Sequence, residues 1–270
     1  MKLSELGERG LLAELERRGL ARCIADDTAS VGELVLTQDA LVEGVHFRLD
    51  RISWRELGWR AAAVNLSDLA AAGAVPEALL VTLAVPGDAS VDEVLELYAG
   101  MAETDVPIVG GDTTESPQLV LSVTAVGRAE RVPGRSGAVA GDVLVVTGPL
   151  GRAGAAFRNG GYVRPELRLD EGRELARTAH AMLDLSDGLA VDCAHLADRS
   201  GCAIVVELER VPLADGAGLD DLGFGEDYEL LAATRDPGRF AVVGRCEEGE
   251  GVRFTLHGEP RELAGWEHFA

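Results

Sequence analysis

The chain has 270 residues, 47% of them hydrophobic, enough to bury the core of one large domain or two ordinary ones, which excludes a disordered protein. Its formal net charge is −21, so its surface repels nucleic acid and anionic membranes. Lys2 is the only lysine, and this Arg-based acidic composition reads as that of a salt-adapted protein.

Residues 3–18 carry apolar positions at helical spacing and predict an amphipathic helix ending at Gly19. Residues 21–30 place the acidic pair Asp26 and Asp27 after a short apolar approach. A strand follows at 34–38, with Thr37 and Asp39 at its mouth and a turn running through Glu43 and Gly44 to His46. Ser53 and Glu56 predict the start of a helix over 54–72. Ser90 and Glu93 do the same for a helix over 90–103, both with the spacing of a capping box. In the first of these helices Asn65 and Asp68 interrupt a run of small residues at i, i+3, on one face. Strands are predicted at 78–85, at 106–109 running into Gly-Gly-Asp-Thr-Thr, and at 118–128.

Residues 129–141, rich in Gly, Pro and Arg, mark a domain boundary, dividing the chain into 1–130 and 131–270. Beyond it, a strand at 142–147 leads into a glycine-rich loop with at most a short helix over 148–165. A polar helix is predicted over 165–182, then a very short strand at 183–185, then a helix opened by Ser186 and Asp187 and closed by Gly201. Strands follow at 203–208, 228–234, 240–245 and 252–257. Neither half has a regular βαβ rhythm, which argues for an α+β (mixed α/β) fold in two domains. The four cysteines form no C-x-x-C pair and read as buried free thiols in a reducing cytoplasm. No apolar run is long and uninterrupted enough for a membrane span.

The informative pattern is a series of carboxylates at the ends of elements: Asp26 and Asp27, Asp39, Asp68, Asp112, Asp184, Asp187, and Glu226 with Asp227. Carboxylates and a hydroxyl suit a hard cation such as Mg²⁺, which takes oxygen ligands. If several converge, each close pair repels by about 4 kcal/mol at an effective dielectric of ~20, and bound cations or protons must relieve it. A site with several Mg²⁺ ions binding a polyphosphate is the natural chemistry. The usual phosphate loops, G-x-x-x-x-G-K-[ST] and G-x-G-x-x-G, are absent.

The order of motifs TQDALVEGVHF (37–47), GWRAAAVNLSDLAAAG (58–73), VGGDTT (109–114), LDLSDGL (183–189), GEDYEL (225–230) and GWEHF (265–269) resembles the thiamine-monophosphate kinase family, within the aminoimidazole ribonucleotide synthetase superfamily. The resemblance covers nearly the whole chain. It implies ATP-dependent phosphorylation of thiamine phosphate to thiamine diphosphate. Carried over motif by motif, it implies that Asp27, Thr37, Asp39, Asp68, Asp112 and Asp184 bind Mg²⁺ and that Asp187 holds a further ion. Asp39, Asp68 and Asp112 are the expected catalytic carboxylates. Tyr98, Gly111, Asp112, Arg135 and Ser186 are expected on ATP; His46, Glu226 and Trp266 are expected on thiamine phosphate. The family's fold implies a homodimer whose N-terminal sheets pair into a β-barrel, with an α/β C-terminal domain beside it. Gln38 and Glu115 stand where the family usually has Thr and Arg. Another ATP-using superfamily member, of cyclo-ligase or selenophosphate synthetase type, is the alternative; a non-catalytic acidic dimerisation module is a second.

Overall fold

The computed structural model describes residues 2–21 and 26–265, and they form a mixed α+β fold built on two sheets. The first half supplies α1 (Leu3–Arg17), β1 (Ala29–Val31), β2 (Leu34–Val42), α2 (Trp54–Ala71), β3 (Val75–Val85), α3 (Val91–Ala102), β4 (Ile108–Glu115) and β5 (Val120–Arg128). Their five strands lie in the order β1-β2-β5-β3-β4, antiparallel except for β3 with β4. Alternation along the strands gives one buried face, with Val35, Leu41, Leu79, Val81, Leu83, Leu121, Val123 and Ala125 in a core that includes Leu57, Leu66 and Leu69 of α2. The opposite face, with Gln38, Ala40, Leu80 and Thr82, is open.

The second half supplies β6 (Val143–Val146), α4 (Arg152–Arg158), α5 (Leu169–Leu175), β7 (Ala181–Asp184), α6 (Leu189–Ser200), β8 (Ala203–Glu207), β9 (Leu230–Thr234), β10 (Ala241–Glu247), β11 (Val252–Leu256) and β12 (Glu259–Arg261). Seven of these are strands of one sheet, in the order β12-β11-β8-β10-β6-β9-β7. One face packs Leu144, Val146, Ile204, Val206 and Leu231 against Leu189, Cys193 and Leu196 of α6. The other packs Val145, Met182, Leu230 and Ala232 against Leu175 of α5 and against Ala70 and Ala71 of α2.

Helix α2 is therefore shared by both cores. Its run of Ala is what permits this, since small side chains let sheet and helices approach from several sides. Ser53 caps it by accepting the Glu56 N–H at 3.2 Å. At α3 the Ser90 hydroxyl accepts the Asp92 N–H and Glu93 accepts the Ser90 N–H, each at 3.2 Å.

Three predicted elements are corrected. The helix expected over 165–182 is confined to Leu169–Leu175, because residues 161–168 are pulled straight by tertiary ion pairs: Arg164 bonds Glu56 and Glu103, and Arg168 bonds Glu229. The strand expected to end at Gln38 continues to Val42, paired with β5 throughout. The strand expected at 106–109 lies instead at Ile108–Glu115, so the Gly-Gly-Asp-Thr-Thr run is strand, held by parallel pairing with β3. Of the four cysteines, Cys193, Cys202 and Cys246 are buried and free, as expected, and Cys23 lies outside the described residues.

Candidate active site

An acidic centre forms where α2 passes between the sheets. Asp27, Asp68 and Asp184 each present a carboxylate oxygen, and these oxygens lie within 4.8 Å of one another. Asp68 comes from the last turns of α2, Asp184 from the end of β7, and Asp27 from the segment before β1. Strand β2 completes the wall. The Thr37 hydroxyl donates to Asp68, and the Asp39 N–H donates to Asn65 Oδ1 at 3.0 Å. The two polar residues that share a face of α2 thus both reach β2. Thr37 and Asp39 lie mid-strand, and not at a strand mouth.

The centre is electrostatically strained. Burial, then the Asp27 charge, push the Asp184 carboxyl up to about 7. Burial, then Asp27 and Asp187, raise Asp39 to about 6. Burial and the neighbouring Asp184, Asp39 and Asp27 hold Asp68 well above the ordinary carboxylate range. Asp27 is also raised, by burial, against the pull of Arg135, whose Nε donates to Asp27 Oδ1 at 2.8 Å. One guanidinium does not neutralise this set. Asp184 Oδ2 accepts the Ser67 hydroxyl at 2.6 Å, while its buried Oδ1 has no hydrogen-bond partner among the described residues. An orphaned buried carboxylate oxygen is costly, and a hard cation facing it would remove that cost. The donor set, all oxygen and strongly anionic, fits Mg²⁺.

Other predicted residues lie around this centre. Asp187 follows β7; its N–H donates to Asp192 Oδ2 at 3.1 Å, which fixes the turn into α6. The Ser186 carbonyl accepts the Glu226 N–H at 2.9 Å. Glu226 pairs with Arg60, and burial raises its carboxyl even so. His46 turns back on β2, its Nδ1 accepting the Val42 N–H at 2.9 Å. Tyr98 is partly buried against the first core, on α3. Gln38 points to the open sheet face and donates to Ser122 at 2.9 Å. Trp266 lies outside the described residues.

Gly111 and Asp112 lie apart from the centre within one chain. They sit on the edge strand β4, opposite Val81 and Thr82. Three strand spacings separate β4 from β2, about 14 Å at ~4.8 Å each. Asp112 shares its row with Thr82, Ser122 and Ala40, the open face, whereas Asp39 shares a row with Val123 and Val81 of the buried face.

Ser67, Asn65, Asp192 and Arg60 were not assigned roles from sequence. Ser67 and Asn65 stand in the same motif as Asp68, and that adjacency was the available signal. Arg60 carried one too: an arginine within a run of residues suited only to burial.

Residues 25–129 match the family described as AIR synthase related protein, N-terminal domain, and residues 139–253 match its C-terminal domain. Thiamine-monophosphate kinase of Aquifex aeolicus is 36% identical over 100% of both chains. That of Halobacterium salinarum is 34% identical, covering 93% of this chain and 96% of its own. The solved structure of AaThiL complexed with AMPPCP and TMP superposes with a TM-score of 0.90 at 34% identity, covering 99% of each chain. With such identity over the whole length, this chain belongs to the thiamine-monophosphate kinase family.

Proposed function

We propose that the acidic centre carries out direct, in-line phosphoryl transfer from ATP to thiamine phosphate, giving thiamine diphosphate. The observation that carries this is the convergence of Asp27, Asp68 and Asp184, flanked by Asp39 and Asp187, on one buried spot. Asp27, Thr37, Asp39, Asp68 and Asp184 would hold Mg²⁺, with Asp187 and Asp112 available to further ions. Bound there, Mg²⁺ neutralises phosphate charge and draws two anionic substrates together. The residues of the chain supply placement: β2, α2 and β7 fix the carboxylates from three directions. Tyr98, Gly111, Asp112, Arg135 and Ser186 are assigned to ATP, and His46, Glu226 and Trp266 to thiamine phosphate. The acceptor is a phosphate oxygen, already ionised at neutral pH, so no strong general base is needed.

Two copies of the chain would pair the open faces of their five-stranded sheets into a barrel. Leu80, 39% exposed on that face, and Val109, 63% exposed on the edge strand, support this, since both are apolar and uncovered in one copy. Asp112 would then lie at the seam of the dimer. Two domains, 1–130 and 131–270, and a cytoplasmic location complete the reading; among the described residues no helix is long and apolar enough to cross a membrane.

The test is ATP consumption by the purified chain with Mg²⁺, with and without thiamine phosphate, and product mass by mass spectrometry. Turnover that requires thiamine phosphate and yields thiamine diphosphate is the expected result. ATP hydrolysis indifferent to thiamine phosphate, or no turnover, would overturn it.

A further inference from the structure

Arg60 is the unexplained residue of α2. It is 5% exposed, in a helix otherwise suited to burial by its small residues. A buried guanidinium requires a partner, and its partner is Glu226, from the loop between β8 and β9 of the other sheet. Its Nε, and the hydroxyl of Tyr162, have no hydrogen-bond partner among the described residues. The Tyr162 ring lies 5.9 Å from the guanidinium carbon.

Glu226 is itself held in an unusual backbone conformation. Its φ is +59° and that of Tyr228 is +53°, both in the left-handed region that residues with a side chain rarely occupy. Gly225 precedes them with φ +81°, so close to Ser186 that a Cβ would meet its carbonyl oxygen at 2.2 Å. The loop is pinned by Glu226 N–H to Ser186 O at 2.9 Å and by Tyr228 N–H to Leu185 O at 3.0 Å. Such conformations persist only where surrounding contacts over-determine them, and they gather at functional sites. Those backbone contacts fix the loop; the Arg60 pair fixes the carboxylate.

Arg60 and Asp68 lie two turns apart on one helix, about 12 Å along its axis at ~1.5 Å per residue. A single rigid element thus carries a metal-centre carboxylate at one point and the partner of Glu226 at another. We propose that Arg60 is a positioning residue that fixes the Glu226 carboxylate at a set distance from the acidic centre, so that the site selects an acceptor long enough to reach both. This rests on the reading of the chain as a thiamine phosphate kinase with Glu226 on the acceptor.

The experiment compares wild type, Arg60→Met, Arg60→Lys, Glu226→Gln and Arg60→Met/Glu226→Gln for kcat and for KM of each substrate, with thermal melts alongside. Arg60→Met is expected to raise the KM for thiamine phosphate about tenfold while the KM for ATP stays within about twofold. Arg60→Lys, which keeps the charge, should recover part of that loss; it also carries the test if Arg60→Met fails to fold. In the Glu226→Gln background, Arg60→Met should add less than about twofold, because one unit is already broken. Equal effects on both substrates, no effect in either Arg60 variant, or losses that multiply in the double variant would overturn the proposal. A wild-type chain that does not phosphorylate thiamine phosphate would overturn the family reading with it; an active wild type beside unaltered variants overturns the positioning role alone.

Discussion

Asp184 is 2% exposed and shares its surroundings with Asp27 and Asp68. An unfolded Asp ionises near 3.8, whereas folding lifts Asp184 to about 7 and Asp39 to about 6, by burial first and by neighbouring carboxylates second. Between roughly pH 4 and 7 the folded, metal-free chain therefore binds more protons than the unfolded chain, and its stability falls as pH rises through that window. The stabilising protonation is fully present below the unfolded value and lost as each folded value is passed. Melts in a chelator should show Tm falling from pH 5 to pH 7, and Asp184→Asn should flatten that slope. General self-repulsion of the acidic surface acts in both proteins, so the comparison of slopes isolates the site. Identical slopes would show that Asp184 is not held protonated. Asp68 and Asp184 were legible in sequence as carboxylates near the end of a helix and of a strand, whereas Asp39 was expected at a strand end that in fact continues to Val42. The residues that steady them were not legible. Ser67 and Arg60 have roles set by partners 117 and 166 residues away, which no local pattern encodes.

Helix α2 organises the fold by letting neighbours come close. Against α3 the approach is so tight that a Cβ on Gly58 would meet the Leu97 carbonyl oxygen at 1.8 Å, and one on Gly100 would meet that of Arg55 at 1.9 Å. Intrinsic helix propensity favours Ala over Gly by about 1 kcal/mol, so in an isolated helix Gly58→Ala would be stabilising. In this protein the added methyl strikes backbone, which cannot swing aside. The helices must part, at a cost of about 1–3 kcal/mol in overpacking. Denaturant melts of Gly58→Ala should show a lower midpoint; a raised midpoint would mean that the interface yields freely. Both α2 and α3 were legible, since capping residues and helical periodicity agreed with tertiary demand. Where they disagreed the sequence misled. Residues 165–168 have polar helical character, yet Arg164 and Arg168 find their carboxylates on distant elements and the chain extends to reach them. Residues 110–115 lie past the end of the expected strand, yet pairing with β3 makes them strand.

At the scale of the molecule, a net charge of −21 meets two substrates that are themselves anionic. On the proposed reading, attraction comes from cations gathered at the acidic centre, and both phosphates are assembled on the same charges before either can react. Among the described residues at that centre, the Thr37 and Ser67 hydroxyls are committed to Asp68 and Asp184, and Asp27, Asp68 and Asp184 present oxygens within 4.8 Å of one another, an arrangement that suits the ligand set of a cation. Transfer by way of a phosphorylated side chain would require one carboxylate to leave the cation set and attack a phosphorus that its own negative charge repels. Direct transfer requires only that both substrates be bound together. Initial-rate plots against ATP at several fixed concentrations of thiamine phosphate should therefore intersect, as for a ternary complex. Incubation with γ-labelled ATP alone should leave no label on the protein after denaturation. Parallel lines together with stoichiometric label on an Asp or His would overturn direct transfer, while leaving the fold and the acidic centre as they are.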